Sequence, residues 1–110
     1  MSQYKHIVLL RFAPQTPREE IAAIFEALDD LQHQLPGIVE ISSGPYDSDE
    51  GLHKGFTHGF VVTFADAESR EGYFRSAEHE SVKQLILDQL PGGLADLIAF
   101  DFAVCDRFRY

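Results

Sequence analysis

Four side chains in this sequence have the chemistry of a small acid–base site: His6, His58, Tyr73 and His79. An imidazole titrates near neutrality and can take or give a proton. A phenol can donate to an oxygen on which negative charge develops. His6 and His58 each sit in mid-strand sequence, in a parity that is otherwise apolar. Burying such a ring is costly unless its nitrogens find partners. The two are therefore either core histidines satisfied across the sheet or by water, or two donors lining a pocket and gripping a carbonyl or hydroxyl. His79 follows the capping candidate Ser76 by three residues. It is either an exposed ring at a helix start or a base kept neutral by the positive helix end. Tyr73 is either a core aromatic or a hydroxyl that orients a substrate.

Metal chemistry fits these residues poorly, because two histidines without a third ligand at a recognisable spacing make a poor site. The single Cys105 excludes an internal disulfide framework and a Cys-rich zinc site, and its apolar surroundings predict a buried thiol. His33 and His53 are expected at the surface. Asp47-Ser48-Asp49-Glu50-Gly51 lacks the alternating ligands and closing Glu of a calcium loop and is expected to be a solvated hairpin connection. Asp101 is the one acid in the last apolar run, facing either a helix end or a subunit seam.

The elements that would position these groups alternate in type. Residues 4–12 predict a strand with His6, Val8, Leu10 and Phe12 on one face, and apolar residues on the other as well. Thr16-Pro17-Arg18-Glu19 predicts a helix start, with Thr16 as cap, Pro17 as first helical residue and Glu19 completing a capping box. Ile21, Ile24, Phe25, Leu28, Leu31 and Leu35 form its buried stripe, and Pro36-Gly37 ends it. Residues 38–46 predict an edge strand ended by Pro45, and 56–64 a second strong strand. Helical sequence follows from the cap Asp66. It breaks near Ser76 and resumes with Val82, Leu85, Ile86 and Leu90 inward. The last strand is expected at about 97–105.

The order β-α-β-β-α-β in a chain of 110 residues, 45% hydrophobic, predicts one domain over 1–110 of the α+β class with a ferredoxin-like sheet. Its helices would cover one face. The other face would expose Phe and Val, a rare condition for a monomer, and a second copy stacked sheet to sheet would cover it. Two such sheets can close into a barrel with room for one small ligand per subunit. The net charge of −9, from 9 Lys+Arg against 18 Asp+Glu, argues against nucleic acid or an anionic membrane as partner. No apolar run approaches a membrane span, and the short stretch 7–10 is no signal sequence, so a cytoplasmic location is expected.

Lys5-His6-Ile7-Val8-Leu9-Leu10-Arg11-Phe12, Pro36-Gly37, Gly55-Phe56-Thr57-His58 running to Val62-Thr63-Phe64, and Ala77-Glu78-His79 together resemble the stress-responsive A/B barrel (Dabb) family of the dimeric α/β-barrel superfamily, over residues 4–104. The resemblance implies a ferredoxin-like protomer and a homodimer with a shared barrel, and leaves the activity open. A plant relative, olivetolic acid cyclase, performs an aldol cyclisation of a linear polyketide without metal or cofactor. More distant relatives include lactone isomerases and cofactor-independent monooxygenases. Carried over residue by residue, the cyclase's first-strand pocket His falls on His6, the His of its Gly-aromatic-Thr-His motif on His58, its helix Tyr on Tyr73 and its catalytic His on His79. Ser76-Ala77-Glu78-His79 lacks the leading His and the Pro of the cyclase's run, and Leu28 stands where the cyclase has a further Tyr.

The resulting expectation is an acid–base pocket that needs no metal or cofactor. His79 removes a proton α to a carbonyl, with Tyr73 as catalytic partner. His6 and His58 bind the substrate oxygen. Cyclisation, isomerisation or lactone rearrangement would use this arrangement. The alternative is a non-catalytic stress-associated or ligand-binding dimer whose interior is filled by Phe60, Phe64, Phe100 and Phe102. An open cavity reaching His6, His58 and His79 together discriminates between them.

Overall fold

The structure, a computed structural model, describes residues 2–106 and 110. The C-terminal tail 106–110, whose sequence suits either packing on a partner subunit or fraying, falls mostly outside the described residues. The chain runs β1 (Tyr4–Leu10), α1 (Arg18–Gln34), β2 (Ile38–Pro45), β3 (His58–Phe64), α2 (Ala67–Arg75), α3 (Ala77–Asp88), a 3-10 turn (Gly93–Asp96) and β4 (Leu97–Ala103). The four strands form one antiparallel sheet in the order β2-β3-β1-β4. This is the ferredoxin-like α+β arrangement expected from the element order, with β2 on an edge as its Glu, Ser and Pro content requires.

Strand parity assigns the two faces. β1 places His6, Val8 and Leu10 against the helices, where β3 adds Phe60, Val62 and Phe64. α1 lays Ile24, Leu28 and Leu31 on that surface, and α3 adds Val82 and Ile86. Leu10, Leu28, Val62 and Phe64 are fully buried. Each such side chain contributes on the order of 1.5–3 kcal/mol of hydrophobic stabilisation. The opposite face carries Ile7 and Leu9 of β1 beside Phe100 and Ile98 of β4, with no helix over it. Phe100 and Phe102 are 61% and 42% exposed there. Phe60 and Phe64 therefore do not share a volume with Phe100 and Phe102, as a filled barrel interior would have required; they occupy opposite sides of the sheet.

Three local expectations are corrected. Thr16 does not cap α1. Pro17, at φ −62 and ψ 141, holds the cap position without a side-chain bond, and the Thr16 amide instead donates to the Ala13 carbonyl at 3.0 Å. With Pro17 itself extended rather than helical, the helix starts one residue on, at Arg18. Leu85 is exposed, because the buried stripe runs through Val82 and Ile86 of α3 to Leu90 just beyond it and leaves Leu85 on the flank. Cys105 is exposed rather than buried, since it lies past the end of β4, beyond the cover of the helices.

Pro36-Gly37 does end α1 as expected. Gly37 turns the chain at φ +81, and a Cβ there would overlap the Ser69 side chain at the start of α2. The Gly37 carbonyl accepts from the Ala65 amide at 2.9 Å, so this corner joins β2 to the β3–α2 connection. Gly37→Ala should therefore lower unfolding free energy by about 2 kcal/mol or more, combining left-handed backbone strain with the steric conflict. Urea denaturation followed by circular dichroism measures it.

Candidate active site

β1 and β4 pair with His6 opposite Asp101. This puts the acid on the helix-covered face, not at the open face. His6 is buried, and its Nδ1 lies 2.6 Å from Asp101 Oδ1. An ionised carboxylate only accepts, so Nδ1 carries the proton and Nε2 is left for other partners. Arg70 of α2 reaches the other oxygen of Asp101 at 3.5 Å, with its guanidinium over the Tyr4 ring at 4.2 Å. The acid thus holds the imidazole from behind, and the arginine anchors the acid.

The break between α2 and α3 brings Tyr73 and His79 to the same place. Ser76 ends one helix and starts the next. Its Oγ donates to the Tyr73 carbonyl at 2.8 Å and accepts from the His79 amide at 3.0 Å. The Tyr73 and His79 rings lie 4.5 Å apart between centroids, and His6 is 6.2 Å from Tyr73. Phe74 completes the cluster, edge-on to His6 at 5.0 Å and to His79 at 5.4 Å.

These rings open onto a cavity of about 220 Å³ between the sheet and α3. Its polar lining is His6, Tyr73, His79 and Lys83; Val8, Leu28, Phe60, Ile86 and Leu97 are among its apolar walls. The chamber is thus formed within one protomer, with α3 as its far wall. It is not the space between two stacked sheets anticipated from strand parity. Leu28, where the cyclase-type relatives place a tyrosine, presents hydrocarbon only.

His58 does not join the group. It lies on the helix-covered side of β3 but pairs with Leu10 at the far end of β1. There it stacks on Phe25 at 5.8 Å, meets Phe12 edge-on, and bonds Thr57 Oγ1 through Nδ1 at 2.8 Å. It also borders a separate open groove of about 520 Å³ with Leu9, Tyr46 and Leu52. His33 and His53 are exposed as expected, His53 stacked on Tyr46 at 3.7 Å. Among the described residues no group of three or more His, Cys, Asp or Glu is placed to hold a metal ion, and no helix is long and apolar enough to cross a membrane.

The surroundings tune the two neighbouring rings in opposite senses. Burial, then the nearby His6 and Lys83, hold His79 below the ordinary 6.5, against a smaller upward pull from Glu80. Its Nδ1 is buried without a hydrogen-bond partner among the described residues, which also disfavours the charged ring. Burial, then the charge of Asp101, push the Tyr73 phenol far above neutrality, so it stays a donor. At neutral pH the cluster offers an unprotonated imidazole beside a protonated phenol.

The family described as Stress responsive A/B Barrel Domain matches residues 4–104. The chain belongs to this family. Over 79 residues, 71% of this chain, it is 32% identical to the stress-response A/B barrel domain-containing protein At5g22580 of Arabidopsis thaliana, and the match spans 66% of that protein's own length. A dimeric ferredoxin-like protein from Jannaschia sp. CCS1 superposes with a TM-score of 0.85 at 24% identity, covering 93% of this chain and 99% of that one. The hydroxynitrile lyase of Passiflora edulis does so at 0.84 and 20% identity, covering 96% of each chain. At3g17210 of Arabidopsis thaliana gives 0.82 at 23%, covering 94% and 96%. These structures share the A/B barrel chain's fold. The resemblance read from its strands and from the Ala77-Glu78-His79 run is therefore correct at the level of family and fold.

Two residues of the cluster escaped sequence reading in their roles: Asp101, whose partner is fixed only by strand register, and Lys83, which reaches the cavity from one turn beyond His79. Both His79 and His58, the latter through burial, have pKa values below 6.5. The unfolded chain then binds more protons than the folded one between each folded value and 6.5. The stability these rings contribute is present above 6.5 and is lost as pH falls through their folded values. Imidazole carbon–proton NMR titration should place both midpoints under 6.5, and the urea midpoint should fall as pH is lowered past that point.

Proposed function

We propose that this chain is a small-molecule acid–base catalyst of the lyase or isomerase type, working in the chamber between β1 and α3. The observation that carries the reading is the convergence of His6, Tyr73 and His79 on one cavity, with the acceptor His79 and the donor Tyr73 held in opposite protonation states. His79 takes a proton from carbon next to a carbonyl, or from a hydroxyl whose neighbouring C–C bond then breaks. Tyr73 donates to the oxygen that gains negative charge, and His6, turned by Asp101, offers a second polar contact there. The proton returns from His79 to carbon, of the rearranged product in the first case and of the departing carbanion in the second, where the alkoxide becomes a carbonyl, so either step balances without another reactant. His58 takes no part in this pocket.

Size bounds the substrate. A dry cavity of about 150 Å³ accommodates benzene. The chamber at about 220 Å³ suits a single ring with a short arm or an aliphatic molecule of similar bulk. A linear polyketide is too long to be enclosed, and Leu28 gives it no hydroxyl. The fold it shares with a hydroxynitrile lyase supports the capacity of this scaffold for carbon–carbon lyase chemistry, not a particular reaction.

We further propose that the open sheet face is covered by a second copy, since Leu9, Ile98, Phe100 and Phe102 leave it with an apolar stripe that water solvates poorly. The dimeric neighbour of the same fold supports this. Sedimentation velocity should give a species of twice the chain mass at micromolar concentration. Phe100→Lys should shift it to single-chain mass with its circular dichroism retained; a wild-type chain that stays at single mass defeats the dimer.

The chemistry is tested by α-proton exchange of phenylacetone in D₂O, followed by proton NMR, together with cleavage of mandelonitrile. The wild-type chain should accelerate one of these over buffer. His79→Ala should lose about 100-fold or more of that rate, and Tyr73→Phe about tenfold or more. The wild-type rate should be flat through neutrality and fall only below pH 6.5, as His79 becomes protonated. A wild-type chain no faster than buffer, or a His79→Ala variant that keeps the rate, removes the reading.

A further inference from the structure

Lys83 stands apart from the other cations near the fold's sites. Arg70 is committed to Asp101 and Tyr4, Arg11 to Asp96 and the Phe56 ring, and Lys5 to Thr63 Oγ1. Lys83 has no hydrogen-bond or ion-pair partner among the described residues. It sits four residues after His79, so the two side chains share one face of α3, and both line the same cavity. Lys83 is exposed and also lines the cavity, as a long amphipathic side chain can when its hydrocarbon stem covers apolar surface and its ammonium stays in water.

The charge distribution around this ammonium is one-sided. Among the described residues no carboxylate lines the cavity. Asp101 stands behind the His6 ring, with both oxygens engaged by His6 and Arg70. Glu80 is close enough to act on His79, yet it is next along the helix, about 100° round from it, and is not part of the lining. In a chain of net charge −9, the cavity that holds the candidate acid–base pair thus presents only cationic or neutral groups.

Resting on the pocket reading above, we propose that the substrate is a small carboxylate, its ring or chain inside the chamber and its carboxylate paired with the Lys83 ammonium at the mouth. Such a pair fixes which end of the molecule enters. It leaves the uncharged end, with its carbonyl or hydroxyl, against Tyr73, His6 and His79. A charge-assisted bond at a half-solvated rim is modest in strength but discriminates well against a neutral isostere, which leaves the ammonium without a counter-charge.

The experiment compares phenylacetate with phenylacetamide, which match in shape and differ in charge. Each is titrated into the full chain and followed through the amide proton–nitrogen NMR signals of Leu28, Val82 and Ile86, on the cavity wall. Phenylacetate should bind about five- to tenfold more tightly than phenylacetamide at low salt. Lys83→Met should bring the two within twofold of each other, and Lys83→Arg should keep the preference. Equal binding of both probes to the wild-type chain, or a preference that survives Lys83→Met, overturns the carboxylate assignment while leaving the pocket standing. Failure of both probes to shift any cavity-wall signal overturns the assignment and the pocket reading together.

Discussion

The register of β1 between β3 and β4 is the constraint from which the other features follow. With His6 opposite Val62 on one side and Asp101 on the other, His6, Val8 and Leu10 face the helices while Lys5, Ile7 and Leu9 face away. A slip of one residue would exchange the two sets. It would send His6 out to the bare face, remove it from Asp101, and bring the Lys5 ammonium into the core. The hydrophobic demand of Leu10 and Val8 against Leu28 and Ile24 therefore also fixes the polar site, because both ride on the same parity. Core packing and site assembly here are one event.

A carboxylate in the wall of a hydrophobic layer needs compensation, and the structure supplies it twice. Asp101 is only partly covered, with its side chain about a quarter exposed, and it meets His6 at one oxygen and Arg70 at the other. Partial solvation and two donors offset the desolvation that makes isolated buried charges unfavourable. What the pair contributes is orientation more than stability. It fixes the tautomer of His6 and the angle of its ring, as carboxylates behind histidines do in many sites. Arg70 in turn lies on Tyr4 at the head of β1, so its contacts tie α2, β1 and β4 together.

Element order, the edge position of β2, the stripe of α1 and the Ser76 break were legible in the sequence, because each depends on neighbours a few residues away: alternation, a 3.6-residue period, a cap, a glycine. The placement of His6, Tyr73 and His79 in one group was legible through the family resemblance. What resisted was whatever depends on register or on the partition of faces. Parity alone puts His6 and His58 on one face, but does not show the register offset of four positions along the strands, which leaves His58 among Phe12 and Phe25. Parity likewise shows two apolar faces on β1 without saying which one carries the chamber, so the cavity was expected between sheets and lies under α3. Asp101 shows its partner only once Leu97 to Ala103 are laid beside Leu10 to Tyr4. Thr16 failed as a cap because Pro17, whose ring allows either the extended or the helical ψ, takes the extended one here.

Ser76 explains how two helices can serve one proton-transfer pair. A continuous helix from Ala67 to Asp88 would set Tyr73 and His79 six residues apart, on faces that diverge by about 120°. The break at Ser76, in an extended conformation at φ −77 and ψ 148, redirects the chain and lets one hydroxyl bridge the last turn of α2 to the first turn of α3. The rings of Tyr73 and His79 then meet at 4.5 Å. The same break exposes His79 to the positive end of α3, which opposes protonation as burial does. Tyr73 instead is buried on the side of the Asp101 carboxylate, and burial first, then that charge, oppose ionisation of the phenol. Groups whose surroundings drive their proton affinities apart are those suited to act as base and acid in one step. In this chain a single break in an otherwise helical segment brings two such groups side by side.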